Sequence, residues 1–183
     1  GVELAGYGPY LTRQSTGVLD PLYAKAIYVD DGTNRWCTVS CDLVGVSADD
    51  VRTLRTLCQD KLGLSGDQVM VTASHTHSGP ACLGLLGWGE PDLLYLGHLP
   101  FAWFDAVRQA VDTARPATMR YGVVPVETFG YDRHEGRGPV DKTVRAVIFD
   151  DADTAVPMAV LVNHSVHGVT FGAENTLISA DWP

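Results

Sequence analysis

Several familiar signatures are missing from this chain of 183 residues, and each absence narrows what it can do. No uninterrupted apolar segment approaches the roughly 18 residues that a membrane-spanning helix needs. Basic side chains are scarce: 13 Lys and Arg stand against 22 Asp and Glu, a formal net charge of -9. That balance argues against a phosphate backbone, and so against nucleic acid, as the main partner. The four cysteines, Cys37, Cys41, Cys58 and Cys82, include no Cys-x-x-Cys pair. Neither a zinc ribbon nor a disulfide framework is indicated, and the thiols read as small buried apolar groups. The opening Gly1-Val2-Glu3-Leu4-Ala5 lacks both an initiator Met and a basic-then-apolar leader. The natural N-terminus is therefore expected upstream, and the compartment is not legible. No linker, repeat or low-complexity tract interrupts the chain, so residues 1–183 are expected to form one unit.

What is present is 45% hydrophobic and 19% charged, enough to bury a core. Residues 23–30 and 36–43 are β-rich runs joined by the turn signal Asp31-Gly32-Thr33-Asn34. A helix is predicted next, capped by Ser47 with Asp50 three residues on. Its apolar stripe is Val51, Leu54, Leu57, Cys58 and Leu62, and Gly63 stops it. Residues 69–73 form a further strand, and the Gly-rich stretch 79–97 reads as a long loop. A second amphipathic helix is predicted over 99–114, with Phe104, Val107, Val111 and Ala114 inward and Arg115-Pro116 ending it. Strands are then expected at 119–129, 143–149 and 158–163, the last an apolar run suited to burial on both faces. Hairpins and crossover helices together predict an α/β layered fold with a mixed β-sheet and flanking helices.

The stretch Ser74-His75-Thr76-His77-Ser78-Gly79-Pro80 directly follows the predicted strand 69–73. If the strand continues through it, period-two alternation points both imidazoles to one side. Imidazole is a common zinc ligand and a proton carrier near neutral pH, so two of them at a strand end suit a metal or catalytic site. A second cluster, Asn163-His164-Ser165-Val166-His167-Gly168, lies where the predicted strand 158–163 ends. Strand ends are where open α/β sheets place reacting groups. His167 is therefore a candidate partner for His75, while His164 equally suits a hydrogen-bonded core histidine.

Several blocks then carry a family resemblance. They are Gly6-Tyr7-Gly8, Asp20-Pro21-Leu22-Tyr23-Ala24-Lys25-Ala26, Ser40-Cys41-Asp42-Leu43, the His-Thr-His-Ser-Gly-Pro block, Tyr131-Asp132-Arg133, Gly138-Pro139-Val140-Asp141, His167-Gly168 and Ser179-Ala180-Asp181-Trp182-Pro183. In this order they resemble the neutral ceramidase-like family of zinc amidases, over essentially the whole chain.

The resemblance implies that His75 and His167 bind a catalytic Zn2+, that His77 helps hold the substrate amide, and that Arg133 assists amide recognition. A solvated surface arginine is the plainer reading of Arg133, given the polar Asp132-Arg133-His134-Glu135-Gly136-Arg137 around it. Asp42 and Asp181 are expected to accept structural hydrogen bonds or support the ligands. The loop Leu83-Gly84-Leu85-Leu86-Gly87-Trp88 could meet an acyl or sphingoid chain or simply pack on the core. A small-molecule or lipid amide is the implied substrate, and many relatives are exported.

Catalytic zinc normally takes three protein ligands plus an open position, and the resemblance supplies only two here. In that family a Glu, a Tyr and a catalytic serine lie farther along the chain. The expectation is thus an N-terminal portion of a larger catalytic domain, truncated at both ends and inactive alone, with Pro183 in the first turn of a further helix. A zinc-binding domain without catalysis, or another metallohydrolase using Asp42 or Asp181 as a ligand, are the alternatives.

Overall fold

The computed structural model describes residues 1–8, 12–127, 129–134 and 138–182. Pro9, Tyr10, Leu11, Thr128, Glu135, Gly136, Arg137 and Pro183 therefore lie outside the described residues, and with them the predicted helical turn at Pro183. The chain divides into two compact units, Gly1–Ala114 together with Gly168–Pro183, and Arg115–His167. No shift in composition marks either boundary.

In the first unit, β1 (Gly17–Val18) pairs in parallel with β8 (Leu177–Ile178). Its main sheet has the order β2-β3-β4, from β2 (Ala24–Asp30), β3 (Arg35–Cys41) and β4 (Val69–Ala73). The β2–β3 hairpin closes on the expected turn: the Asp31 carboxylate accepts the N–H groups of Thr33 and Asn34 at 2.8 and 2.7 Å, and Gly32 takes φ 84°. Those bonds hold the Asp31 carboxyl below its usual range, Asn34 contributing most.

Strands β3 and β4 run parallel, joined by the crossover helix α1 (Ala48–Leu62). This sheet is therefore mixed, as the layered α/β expectation requires. Ser47 caps α1 through the Asp50 N–H at 3.1 Å, and Gly63 ends it in the left-handed conformation. Leu54 and Cys58 carry the buried stripe. They meet Cys37, Val39 and Cys41, alternate residues on one face of β3, with Leu99, Trp103 and Val107 of the second helix, in one apolar cluster.

That second helix, α2 (Leu93–Asp112), begins six residues before the expected start. Asp92 caps it by accepting the Tyr95 N–H at 2.9 Å. Gly97, read from sequence as the end of the Gly-rich loop, lies inside it, as does Pro100. A proline in the helix interior lacks one N–H donor, a loss that tertiary packing can override: Pro100 is itself buried beside Leu99 and Trp103. The loop at 79–97 is correspondingly shorter, and Trp103, only 1% exposed, is a core residue the predicted stripe omitted. No helix of the described residues is long and apolar enough to cross a membrane.

The second unit is an antiparallel sheet, β5 (Ala117–Pro125), β6 (Thr143–Asp151) and β7 (Pro157–His164). The expectation that the last strand is buried on both faces fails, since Val160 and Val162 are 52% and 54% exposed. Among the described residues this unit has no helix to cover it. Strand pairing places Met119, Tyr121 and Val123 on one face and Val124, Val160 and Val162 on the other, all exposed.

All four cysteines are free and buried, as expected. Burial pushes the thiols of Cys37 and Cys41 up to about 12 and that of Cys58 to about 11. Because the thiolate is the nucleophile, an alkylating reagent at pH 8 should label none of them in the folded protein and all of them after unfolding. Mass spectrometry of iodoacetamide-treated protein reads this directly, and labelling of the native protein at Cys37 or Cys41 would contradict it.

Candidate metal centre

The strand that leads to the histidines stops at Ala73, and His75 has a left-handed backbone with φ 66°. A turn, not strand alternation, therefore orients the two imidazoles. Its backbone is fixed from several sides. The Ser74 and His75 N–H groups donate to Cys41 and Leu43 carbonyls, each at 2.9 Å, continuing the edge of β3. The His77 N–H donates to the Gly168 carbonyl at 3.2 Å. The buried Thr76 hydroxyl donates to the Ser179 carbonyl at 2.9 Å and accepts the Ser78 N–H at 3.0 Å. Left-handed backbone in a residue with a Cβ costs on the order of 1 kcal/mol or more and persists where surroundings over-determine it, as they do here.

The result is a specific presentation of nitrogen. His75 Nδ1 lies 2.6 Å from the Val44 carbonyl. A carbonyl can only accept, so the proton sits on Nδ1 and the lone pair on Nε2. His77 Nε2 is 3.4 Å from that atom, with the rings edge to face at 84°. Two imidazole nitrogens facing one another at such a distance can share a proton or a cation. The Trp88 ring approaches His77 at 5.5 Å and His75 at 6.3 Å between centroids, and Tyr7 approaches His77 at 5.1 Å. Leu86 at the tip of the Trp88 loop is 95% exposed, whereas Leu83 packs against the core.

In the second unit, an Arg133 η nitrogen donates to His167 Nδ1 at 3.1 Å, so this exposed arginine has a histidine partner. His164 Nδ1 faces the Thr143 carbonyl at 3.2 Å across the β6–β7 pair, consistent with its structural reading. His167 ends this unit and is peptide-bonded to Gly168 of the first, the residue whose carbonyl accepts from His77. Among the described residues, His75, His77 and His167 make a set that could hold a metal ion. Imidazole nitrogens suit a borderline cation such as Zn2+, His75 with its tautomer already fixed, whereas at His167 a metal and Arg133 would compete for the Nδ1 lone pair.

Asp42 and Asp181 are engaged elsewhere. Asp42 Oδ2 accepts the Tyr23 N–H at 2.8 Å, and its own N–H returns to the Tyr23 carbonyl at 3.0 Å. The Asp181 carboxylate accepts the N–H groups of Thr170 and Phe171 at 2.7 and 3.2 Å, bracing the segment after Gly168. Sequence reasoning gave no role to Trp88 beyond the loop it belongs to, none to Arg13, and none individually to Gly6 or Tyr7. Only the Gly6-Tyr7-Gly8 block carried any signal.

A mixed α/β unit presenting paired histidines beyond the C-terminal ends of parallel strands is thus the class that fold and site define. No protein-family model and no curated protein matches the chain. Among solved structures, that of neutral ceramidase from Pseudomonas aeruginosa superposes with a TM-score of 0.82 at 18% identity, and a ceramidase complexed with C2 with 0.84 at 20%. Each comparison covers 98% of this chain and 31% of the neighbour. The chain therefore spans about a third of the length of these neighbours, and at this identity the likeness is one of fold.

Gly6 passes close to the site at φ 86°, where an added Cβ would stand 2.0 Å from His77 Nδ1. Gly6→Ala combines an unfavourable backbone with a displaced imidazole. It should lower stability by more than about 1 kcal/mol in urea denaturation, and shift the His77 ring resonances in 15N NMR. Unchanged resonances would show that the ring does not depend on that approach.

Proposed function

We propose that this chain belongs to the catalytic part of a zinc-dependent hydrolase that cleaves a carboxamide, the N-acyl bond of ceramide or a related lipid being the substrate class. The observation that carries the reading is the facing Nε2 pair of His75 and His77, with the His75 tautomer fixed by Val44. The shared fold with ceramidase structures supports it independently.

In this reading His75 and His167 hold the metal. His77, beside them, orients the amide, with its indole and phenol neighbours limiting the directions its ring can take. Arg133 is the second orienting group and donates toward the developing oxyanion. Removing one such donor typically costs roughly 2.7–4 kcal/mol of barrier. A divalent cation at this place would supply Lewis-acid polarisation of the amide carbonyl. Further ligands and the remaining catalytic groups come from the rest of a larger domain, as the one-third coverage of the ceramidase structures suggests.

The test is made on the complete protein, with zinc content and turnover of a short-chain fluorescent ceramide measured together. His75→Ala should abolish both, whereas His77→Ala should keep zinc and lose turnover by about 100-fold or more. Loss of zinc in the second variant would instead make His77 a ligand. Chelation of the native protein should also lower its melting temperature reversibly, because a ligand at about 1,000 times its Kd stabilises by about 4 kcal/mol. Full zinc in His75→Ala would overturn the assignment. Stoichiometric zinc with no turnover of any amide would leave a metal-binding domain without catalysis.

A further inference from the structure

The least expected side chain near the site is Arg13. It is only 4% exposed, and a buried guanidinium normally faces a carboxylate. Here its acceptors are backbone carbonyls from three separate segments: Ala5 at 3.0 Å, Asn175 at 2.9 Å, and His77 in a very short contact. Its carbon Cζ also lies 4.6 Å from the centre of the Tyr7 ring. The Tyr7 hydroxyl donates to the Phe171 carbonyl at 2.5 Å, which fixes the ring plane. That same ring packs against His77, tilted by 59°.

We propose that Arg13 is the positioning residue for His77, gripping it through its carbonyl directly and through its imidazole by way of Tyr7. The proposal rests on the metal-site reading for its consequence in catalysis, but not for its geometry. Neutral packing could close the same space at lower desolvation cost. What only a guanidinium supplies is a rigid fork that reaches three carbonyls at once while presenting a flat face to an aromatic ring. Lysine, a point charge on a flexible stem, can satisfy one or two of those carbonyls and cannot stack. Partners that hold a site histidine in place typically contribute about 10- to 100-fold in activity or metal affinity.

The decisive comparison is between the complete wild-type protein and its Arg13→Lys and Tyr7→Leu variants. The first readout is the 15N spectrum of the histidine rings in metal-free protein. Both variants should move the His77 resonances and leave those of His164, which belongs to the β6–β7 sheet, in place. The second is steady-state hydrolysis of the fluorescent ceramide, where Arg13→Lys should lower kcat about 10- to 100-fold with a smaller change in KM. The third is the visible absorption of the Co2+-loaded protein, whose band shape should stay that of wild type, because His77 orients the amide and is not a ligand; a changed band would move the effect of Arg13 to the metal ligands and overturn the proposal. If Arg13→Lys does not fold, Arg13→Met, which keeps a stem of similar length and removes the fork, takes its place in the same three measurements, and Tyr7→Leu reports only the route through the ring. A lowered melting temperature with unchanged His77 resonances and unchanged kcat would reduce Arg13 to a structural strut and overturn the proposal. A wild-type protein that takes up no Co2+ or Zn2+ would defeat the metal-site reading instead, while the metal-free spectra would still judge Arg13.

Discussion

The left-handed turn at His75 is the constraint on which the site depends. Extended backbone would send successive imidazoles along the strand, separated by the two-residue rise of about 6.6 Å. Reversing the backbone at His75 brings the two Nε2 atoms to 3.4 Å instead. Such a conformation is not self-sustaining in a residue with a Cβ. It holds because bonds to Leu43, Gly168 and Ser179 tie the turn to three other parts of the first unit. Gly168 shows how little room remains: a Cβ there would lie 2.6 Å from the His75 carbonyl oxygen. The parallel β3–β4 pair serves this arrangement by ending both strands beside one another, so that the stretch after β3 can supply the carbonyls of Leu43 and Val44 to a single histidine.

How much of this was legible in sequence follows from the range of the interactions. Helix α1 was read correctly at both ends because Ser47, Asp50 and Gly63 act within one turn. The hairpin was equally local, resting on Asp31 and its next three residues. Helix α2 starts earlier than its pattern predicts because Gly97 closes a Gly-rich stretch that reads as loop, a local propensity that burial of the apolar face around Trp103 outweighs. The two histidines were legible as a pair. Their geometry was not, since the left-handed turn is imposed by residues up to 103 positions away. Arg13 had no signature at all: a single arginine in an unpatterned segment reveals nothing until Tyr7, His77 and Asn175 are brought around it.

The second unit shows the reverse problem, a strong apolar pattern on residues that are exposed. Residues 158–163 read as doubly buried, and chemically they are suited to it, yet both faces of the β5-β6-β7 sheet display apolar side chains to solvent. Strand register is nonetheless pinned by an Arg120–Asp150 pair at 2.5 and 3.0 Å between opposed strands, with a register shift between Phe149 and Asp150. A sheet of this kind gains little from burial by itself, so its order rests more on ladder hydrogen bonds and cross-strand pairs than the first unit's does.

The use of carbonyls rather than a carboxylate around Arg13 also has a chemical consequence. The chain has carboxylates in excess, 22 acidic against 13 basic residues, so composition did not force the choice. A carboxylate among the groups that surround His77 would compete for its ring proton and offer an oxygen ligand to any cation nearby, blurring the distinction between a nitrogen site and an oxygen site. Backbone carbonyls engage both η nitrogens of the guanidinium without doing so, because they are neutral, their positions are set by the fold, and each already belongs to a segment that must be held together. The same argument covers Asp181, both of whose carboxylate oxygens accept backbone N–H groups, and Asp42, one of whose oxygens does. Acidic groups near this site are thereby turned to building loops, and the paired histidines are left as its characteristic donors.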